Sequence, residues 1–261
     1  MGSFTHRGIS FHYEEQGKGV PFLFLHGLGN DGDYTYENID ARAGVRLISF
    51  DQQGHGQSGC NWEHMSFDSL GDDALALADY LGLERFYLGG LSMGAGVSVN
   101  VALRCQERLQ GLLLVRPAWL AEPMPADLRE YFGALARTLP LTDGPERFVR
   151  EPMIRRLSGE APEGVQAFLG HFAQEDSRRR PEKFAIMPDC RPFDDEKQLS
   201  GLRLPTLIAA CRQDLVHPFA YGEWYAKRIP GARLRELPAK SVDAAAYHEE
   251  LNACVRELVV L

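Results

Sequence analysis

The segment "GGLSMGAG", residues 89–96, sets four glycines around one hydroxyl. Glycine loses more backbone entropy on folding than any other residue, so such crowding points to a place where backbone must pass close to backbone. Gly90-Leu91-Ser92-Met93-Gly94 reads G-x-S-x-G, between an expected strand, "FYLGGLS", and an expected helix, "MGAGVSVNVALRCQERL". A serine held on so sharp a strand-to-helix turn has strained dihedrals. The residues two away on each side must then be small, as Gly90 and Gly94 are. The same turn sets Ser92 at a helix N-terminus, where the dipole and unpaired N–H groups favour negative charge. The chemistry this suits is attack by a hydroxyl on a carbonyl, with the resulting oxyanion held by backbone donors. A capping serine in a glycine-rich turn is the alternative, because G-x-S-x-G also arises by chance.

The surrounding elements decide between these readings. "ISFHYEEQG" alternates apolar and polar residues, as an antiparallel edge strand with one wet face would. "VPFLFLHG" (20–27), "VRLISFD" (45–51), "GLLLVRP" and "LPTLIAAC" (204–211) are denser apolar runs that suit buried parallel strands, and "ARLREL" is a further strand. Helices are expected between them. "SFDSLGDDALALADYLGL" (66–83) puts Phe67, Leu70, Ala74, Leu77 and Leu81 on one face, with Ser66 to cap it and Gly82 to end it. "FAYGEWYAKRI" and "YHEELNACVRELVVL" read as later helices. The alternation predicts βαβ architecture around a mostly parallel sheet. It breaks after Pro117. The expected organisation is an α/β core, 1–118 and 204–261, with a helical insertion at 119–203.

Composition narrows the function. The 261 residues, 44% hydrophobic and 25% charged, form an ordinary globular balance with enough chain for a full core. A net charge of -8 argues against non-specific nucleic-acid binding. No apolar run approaches the roughly 20 residues of a membrane helix, and "MGSFTHRGIS" lacks a signal-peptide core. The five cysteines, Cys60, Cys105, Cys190, Cys211 and Cys254, are odd in number and scattered, as free thiols in a reducing cytoplasm would be. No His, Cys or carboxylate cluster has metal-ligand spacing, and the glycine-rich turn is occupied by Ser92, so neither metal nor organic cofactor is expected. The expected partner is a small-molecule substrate, with no nucleic acid and no membrane.

Four segments in order resemble the α/β-hydrolase fold, in particular its cofactor-free serine esterase, lactonase and haloperoxidase-like branch. "LFLHGLG" (23–29) is similar to the family's His-Gly oxyanion loop, "FDQQGHGQSG" (50–59) to its D-x-x-G-x-G-x-S element, "GGLSMGAG" to its nucleophile elbow, and "LIAACRQDLVHP" (207–218) to its acid loop. The resemblance implies an eight-stranded, mostly parallel sheet flanked by helices, with a helical cap inserted after the sixth strand. It also implies an oxyanion hole from the N–H groups of Leu28 and Met93, and Asp214 as the catalytic acid. His26 and His55 sit in turns and read as structural, and Asp51 as a brace for its turn.

The family order is nucleophile, acid, base, which leaves His217 and His248. His217 follows Asp214 by three residues on one loop and reads as poorly placed to reach Ser92 as well. His248 is therefore the expected base, although "LPAKSVDAAAYHEEL" lacks the family's usual Gly-His turn. At the root of the insertion, Trp119 suggests contact with an apolar or aromatic substrate group. Arg116 suits either a substrate carboxylate or a structural ion pair. Arg178-Arg179-Arg180 reads as a solvated helix end, and Trp224 and Tyr225 as core or rim. The expected activity is hydrolysis of a small carboxylic ester, lactone or thioester through Ser92, Asp214 and His248. The alternatives are C–C bond hydrolysis or perhydrolysis on the same fold, or a non-catalytic ligand-binding relative.

Overall fold

A computed structural model describes residues 1–41, 44–212 and 214–260. Gln213 of the acid-loop segment and Leu261 of the expected closing helix lie outside the described residues. Eight strands form one sheet in the order β1 (Gly2–His6), β2 (Ile9–Gly17), β4 (Val45–Phe50), β3 (Val20–Leu25), β5 (Phe86–Leu91), β6 (Leu109–Val115), β7 (Thr206–Cys211) and β8 (Arg233–Leu237). From β4 to β8 every pairing is parallel, whereas β2 runs antiparallel to both of its neighbours. The segment "ISFHYEEQG" is thus not the edge of the sheet. β1 pairs along it and takes the edge, Gly2 opposite Tyr13 and His6 opposite Ile9. Only Phe4 of β1 is fully buried, too weak a pattern to announce a strand from sequence.

The apolar runs are dense because both faces of the inner strands are covered. Phe22 and Phe24 of β3 pack on one side with Leu47, Leu113 and Val115. Helix α11 (Ala244–Val260) closes that side through Tyr247, Leu251, Val255 and Leu258, beside α1 (Asp33–Asn38). Leu23 and Leu25 face the other side, under α2 (Phe67–Tyr80) and α3 (Met93–Cys105). Helix α2 begins with a reciprocal capping box between Ser66 and Ser69, and Gly82 follows its end at φ +67°. Helix α10 (Phe219–Arg228) packs on β7 and β8.

Between β6 and β7 the chain makes α4 (Ala126–Thr138), α5 (Gly144–Arg150), α6 (Pro152–Glu160), α7 (Pro162–Gly170), α8 (Glu175–Arg179) and α9 (Glu182–Ile186). Phe132, Phe148, Phe168, Phe172 and Phe184 form an aromatic cluster among them, and this cluster is continuous with the core under α2 and α3. The insertion is held to the turn at 54–58 by polar contacts. Lys183, wholly buried, donates to the Gly54 carbonyl at 3.0 Å and to Asp176. Arg180 donates to the Ser58 carbonyl at 2.7 Å and to that of Gly56. Arg180 is therefore not part of a solvated helix end, whereas Arg179 pairs with Glu175 at the surface. The reason is local. Arg180 follows α8 directly and faces the carbonyls of the turn at 54–58.

Candidate active site

Ser92 joins β5 to α3 at φ 54° and ψ −110°, a conformation that L residues adopt only when their surroundings enforce it. Its N–H donates to the Val115 carbonyl at 2.9 Å, and its own carbonyl accepts from Ala95 and Gly96. The glycines are required by contact. A Cβ on Gly90 would lie 2.3 Å from the Gly94 carbonyl, and one on Gly94 would lie 2.1 Å from the Leu25 oxygen. A Cβ on Gly27 would lie 3.3 Å from that of Ser92, which puts the "HGLG" loop directly beside the hydroxyl. Met93 is the first residue of α3, so its N–H has no acceptor within the helix.

Two histidines hold this loop. His26 is fully buried; its Nδ1 donates to the Gly27 carbonyl at 2.8 Å and its Nε2 accepts from Gln52 N–H at 3.0 Å. His55 Nε2 accepts from Gly29 N–H at 3.1 Å. Burial drives both below the usual histidine range, His26 to about 4, so both are neutral acceptors rather than bases. Asp51 braces the same region by accepting from Gly32 N–H at 2.8 Å and Gln57 N–H at 2.7 Å.

The histidine beside Ser92 is His217. Its Nε2 lies 2.9 Å from Ser92 Oγ, and its Nδ1 lies 2.9 Å from Asp214 Oδ1. The expectation for His248 is corrected here. His248 sits inside α11, where its carbonyl accepts from Asn252, and its ring lines a surface groove with Tyr36, Asn38 and Asn252. Among the described residues it bonds neither Ser92 nor Asp214. Helix α11 begins at Ala244, and it carries His248 toward α1 instead of over the ends of the strands.

Three residues are enough to bring His217 back to its own acid because the loop folds around the carboxylate. Val216 N–H and His217 N–H both donate to Asp214 Oδ1, at 3.2 and 3.1 Å, and the ring returns to the same oxygen. The signal in the sequence was "DLVHP" together with the lack of any histidine between 218 and 247. Burial alone would raise the Asp214 carboxyl; His217 and the Arg116 cation outweigh it and hold the group well below the carboxylate range. Burial lowers His217, and Asp214 only partly offsets this, so the ring stays neutral and basic near pH 7.

Arg116 takes the structural alternative. Its Nε donates to Asp214 Oδ2 at 2.9 Å, and its Nη2 donates to the same oxygen. Trp119 sits in the wall of a cavity with Leu120, Met124 and Trp224. It is 1% exposed, packs edge-on against Phe67 with centroids 5.3 Å apart, and accepts from the Tyr225 hydroxyl at its carbonyl. The insertion lies against both loops of the site. A Cβ on Gly29 would lie 2.5 Å from His171, and one on Gly164 would lie 2.5 Å from Leu215. Among the described residues no group of three His, Cys, Asp or Glu side chains is arranged to hold a metal, and no helix is long and apolar enough to cross a membrane.

An eight-stranded, mostly parallel sheet with a strained serine between β5 and α3 is the architecture of the alpha/beta hydrolase fold. Residues 20–142 match that family's model, and the chain has the alpha/beta hydrolase fold. It is an enzyme of the hydrolase class. A protein of Azorhizobium caulinodans named "Putative carbamate hydrolase RutD" is 29% identical over 90% of this chain and 89% of its own length. The AB hydrolase superfamily protein YisY of Bacillus subtilis is 28% identical over 94% and 92%. Among solved structures, Est816, described as an N-acyl homoserine lactone degrading enzyme, superposes with a TM-score of 0.74 at 26% identity over 98% of this chain and 99% of its own.

Proposed function

We propose that the protein is a serine hydrolase of small acyl substrates, a carboxylic ester, lactone or thioester, acting through Ser92, His217 and Asp214. The observation that carries this is the unbroken relay from Ser92 Oγ to His217 Nε2 and from His217 Nδ1 to Asp214, at 2.9 Å on each side. Ser92 Oγ forms a bond to the acyl carbon while its proton passes to His217 Nε2. The carbonyl oxygen takes the negative charge and is met by the N–H groups of Leu28 and Met93, at the positive end of α3. Collapse breaks the bond to the leaving group, which takes the proton from His217. Water then attacks the acyl-enzyme with His217 again as base, releasing the acid and restoring Ser92. The insertion acts as a cap, and its contacts over Gly29 and Leu215 keep water from the oxyanion.

The lactone-degrading neighbour and the relative named for carbamates support acyl chemistry of this kind. The test is labelling with a fluorophosphonate, with labelled Ser92 identified by peptide mass spectrometry. It is paired with a screen of p-nitrophenyl esters, thioesters, lactones, carbamates and a dienoic keto-acid. Label on Ser92 and turnover of an acyl substrate are expected. A folded protein that leaves Ser92 unlabelled, or that turns over only the dienoic substrate, overturns the proposal.

A further inference from the structure

The geometry points to Arg116 as a positioning residue that fixes the triad acid and keeps the base unprotonated at acid pH; this rests on the Ser92–His217–Asp214 reading above. Three observations carry it. Arg116 follows β6 at φ 45°, a left-handed conformation unfavourable for a side chain of its size, and its N–H is held by the Ala209 carbonyl at 2.7 Å. That kink aims the guanidinium across the end of β7. The two Asp214 oxygens are then divided. Oδ1 takes the His217 ring and two backbone donors, and Oδ2 takes both Arg116 bonds. With every lone-pair direction in use, the carboxylate has no freedom to turn away from His217. Third, Arg116 Nη2 lies only 3.3 Å from His217 Nδ1. That nitrogen bears the proton donated to Asp214, so the approach is not a hydrogen bond. It is a cation set against the imidazole edge, and it opposes a second positive charge there.

The charged groups facing His217 are Asp214 and Arg116. Behind Arg116 lie Tyr34 of α1, Tyr247 of α11, the Cys211 thiol of β7 and the Lys240 ammonium. Burial raises both phenols and the thiol, so they stay neutral, and among the described residues the anion that pairs with Arg116 is Asp214. The signs agree. Asp214 favours the imidazolium and Arg116 disfavours it, and Arg116 also weakens the pull of Asp214 by sharing its charge. Removing Arg116 therefore raises the pH at which His217 protonates.

The experiment compares pH profiles of kcat/KM for Arg116→Gln, Arg116→Lys and the unmodified enzyme, with histidine side-chain NMR titration of each. In Arg116→Gln the acid limb and the His217 midpoint move up by about 1 unit, about a tenfold loss of kcat/KM below the limb. Arg116→Lys retains the charge and restores the limb. An unmoved limb and midpoint in Arg116→Gln, or a rise in KM confined to anionic substrates, overturns the inference. If Arg116→Gln does not fold, a His217 midpoint above 6.5 in the unmodified enzyme does so instead. The NMR titration reads the charge coupling without turnover, so it separates this inference from the catalytic reading. An active Ser92→Ala enzyme refutes the latter alone.

Discussion

At the residue scale, burial shifts two titratable groups in opposite directions, His217 in the site and Asp73 outside it. His217 is lowered, so activity should persist below the pH at which an ordinary histidine protonates, and the acid limb of kcat/KM is expected under pH 6.5. His217→Ala should lose activity by on the order of 10⁴-fold, as Ser92→Ala does, and the double variant should be hardly worse, because a triad acts as a unit. His248→Ala should keep most activity. Steady-state kinetics on the best ester from the screen decide both. Asp73 shows the reverse effect on stability. Burial pushes its carboxyl up to about 7, opposed by Arg7 and by the Gln53 amide that donates to it at 3.0 Å. A folded-state value above the unfolded one means that the neutral form is the stabilised one. The contribution is complete below the unfolded value and is lost as pH rises through about 7. Asp73→Asn should therefore stabilise the protein by about 4 kcal/mol at pH 8 and by less than half of that at pH 5. Thermal melts at both pH values test this, and equal melting shifts would disprove it.

At the element scale, the turn between β5 and α3 is set by backbone packing more than by side chains. Gly94 lies against the Leu25 and His26 carbonyls, which belong to β3 and the loop after it and cannot move without disturbing the sheet. Gly94→Val should yield little soluble protein. Even Gly94→Ala should be destabilised by about 2 kcal/mol or more, since the clash is with backbone and not with a flexible side chain. Urea unfolding of Gly94→Ala measures this. The acid loop behaves differently. Asp214 Oδ1 gathers the N–H groups of Val216 and His217, so the loop is shaped by the carboxylate it carries. Asp214→Asn should thus alter the position of His217 as well as its basicity.

At the scale of the whole molecule, a buried ammonium is one of the polar ties that fasten the helical insertion to the core. Lys183 is pressed below its ordinary range by burial, and Asp176 opposes that shift. Asp176→Asn takes away the carboxylate charge that Lys183 faces, and an unpaired buried charge is strongly destabilising. A loss of about 2–3 kcal/mol is expected, seen as a lower Tm. Faster proteolysis between 119 and 203 than elsewhere would accompany it if the insertion opens first. Unchanged melting would show that Arg180 holds the insertion by itself.

The sequence alone determined the features that depend on local order. Dense apolar runs and one alternating run marked the strands, Ser66 and Gly82 bounded α2, and four glycines in eight residues marked Ser92. His26, His55 and Asp51 were legible as turn braces because glycine-rich turns leave backbone donors that such side chains satisfy. Tertiary structure decided what depends on where separate elements meet. β1 was invisible because one buried residue in five gives no periodicity. The choice of His217 over His248 turned on two facts that spacing does not carry: the Asp214 loop curls onto its own carboxylate, and α11 starts early enough to carry His248 away. Arg116 could be placed with Asp214 only once β6 and β7 were known to be neighbours, since 98 residues separate the pair. Side chains that share a strand or helix announce themselves by period. Side chains brought together from different elements do not, because their proximity is fixed by the packing of those elements and not by the chain between them.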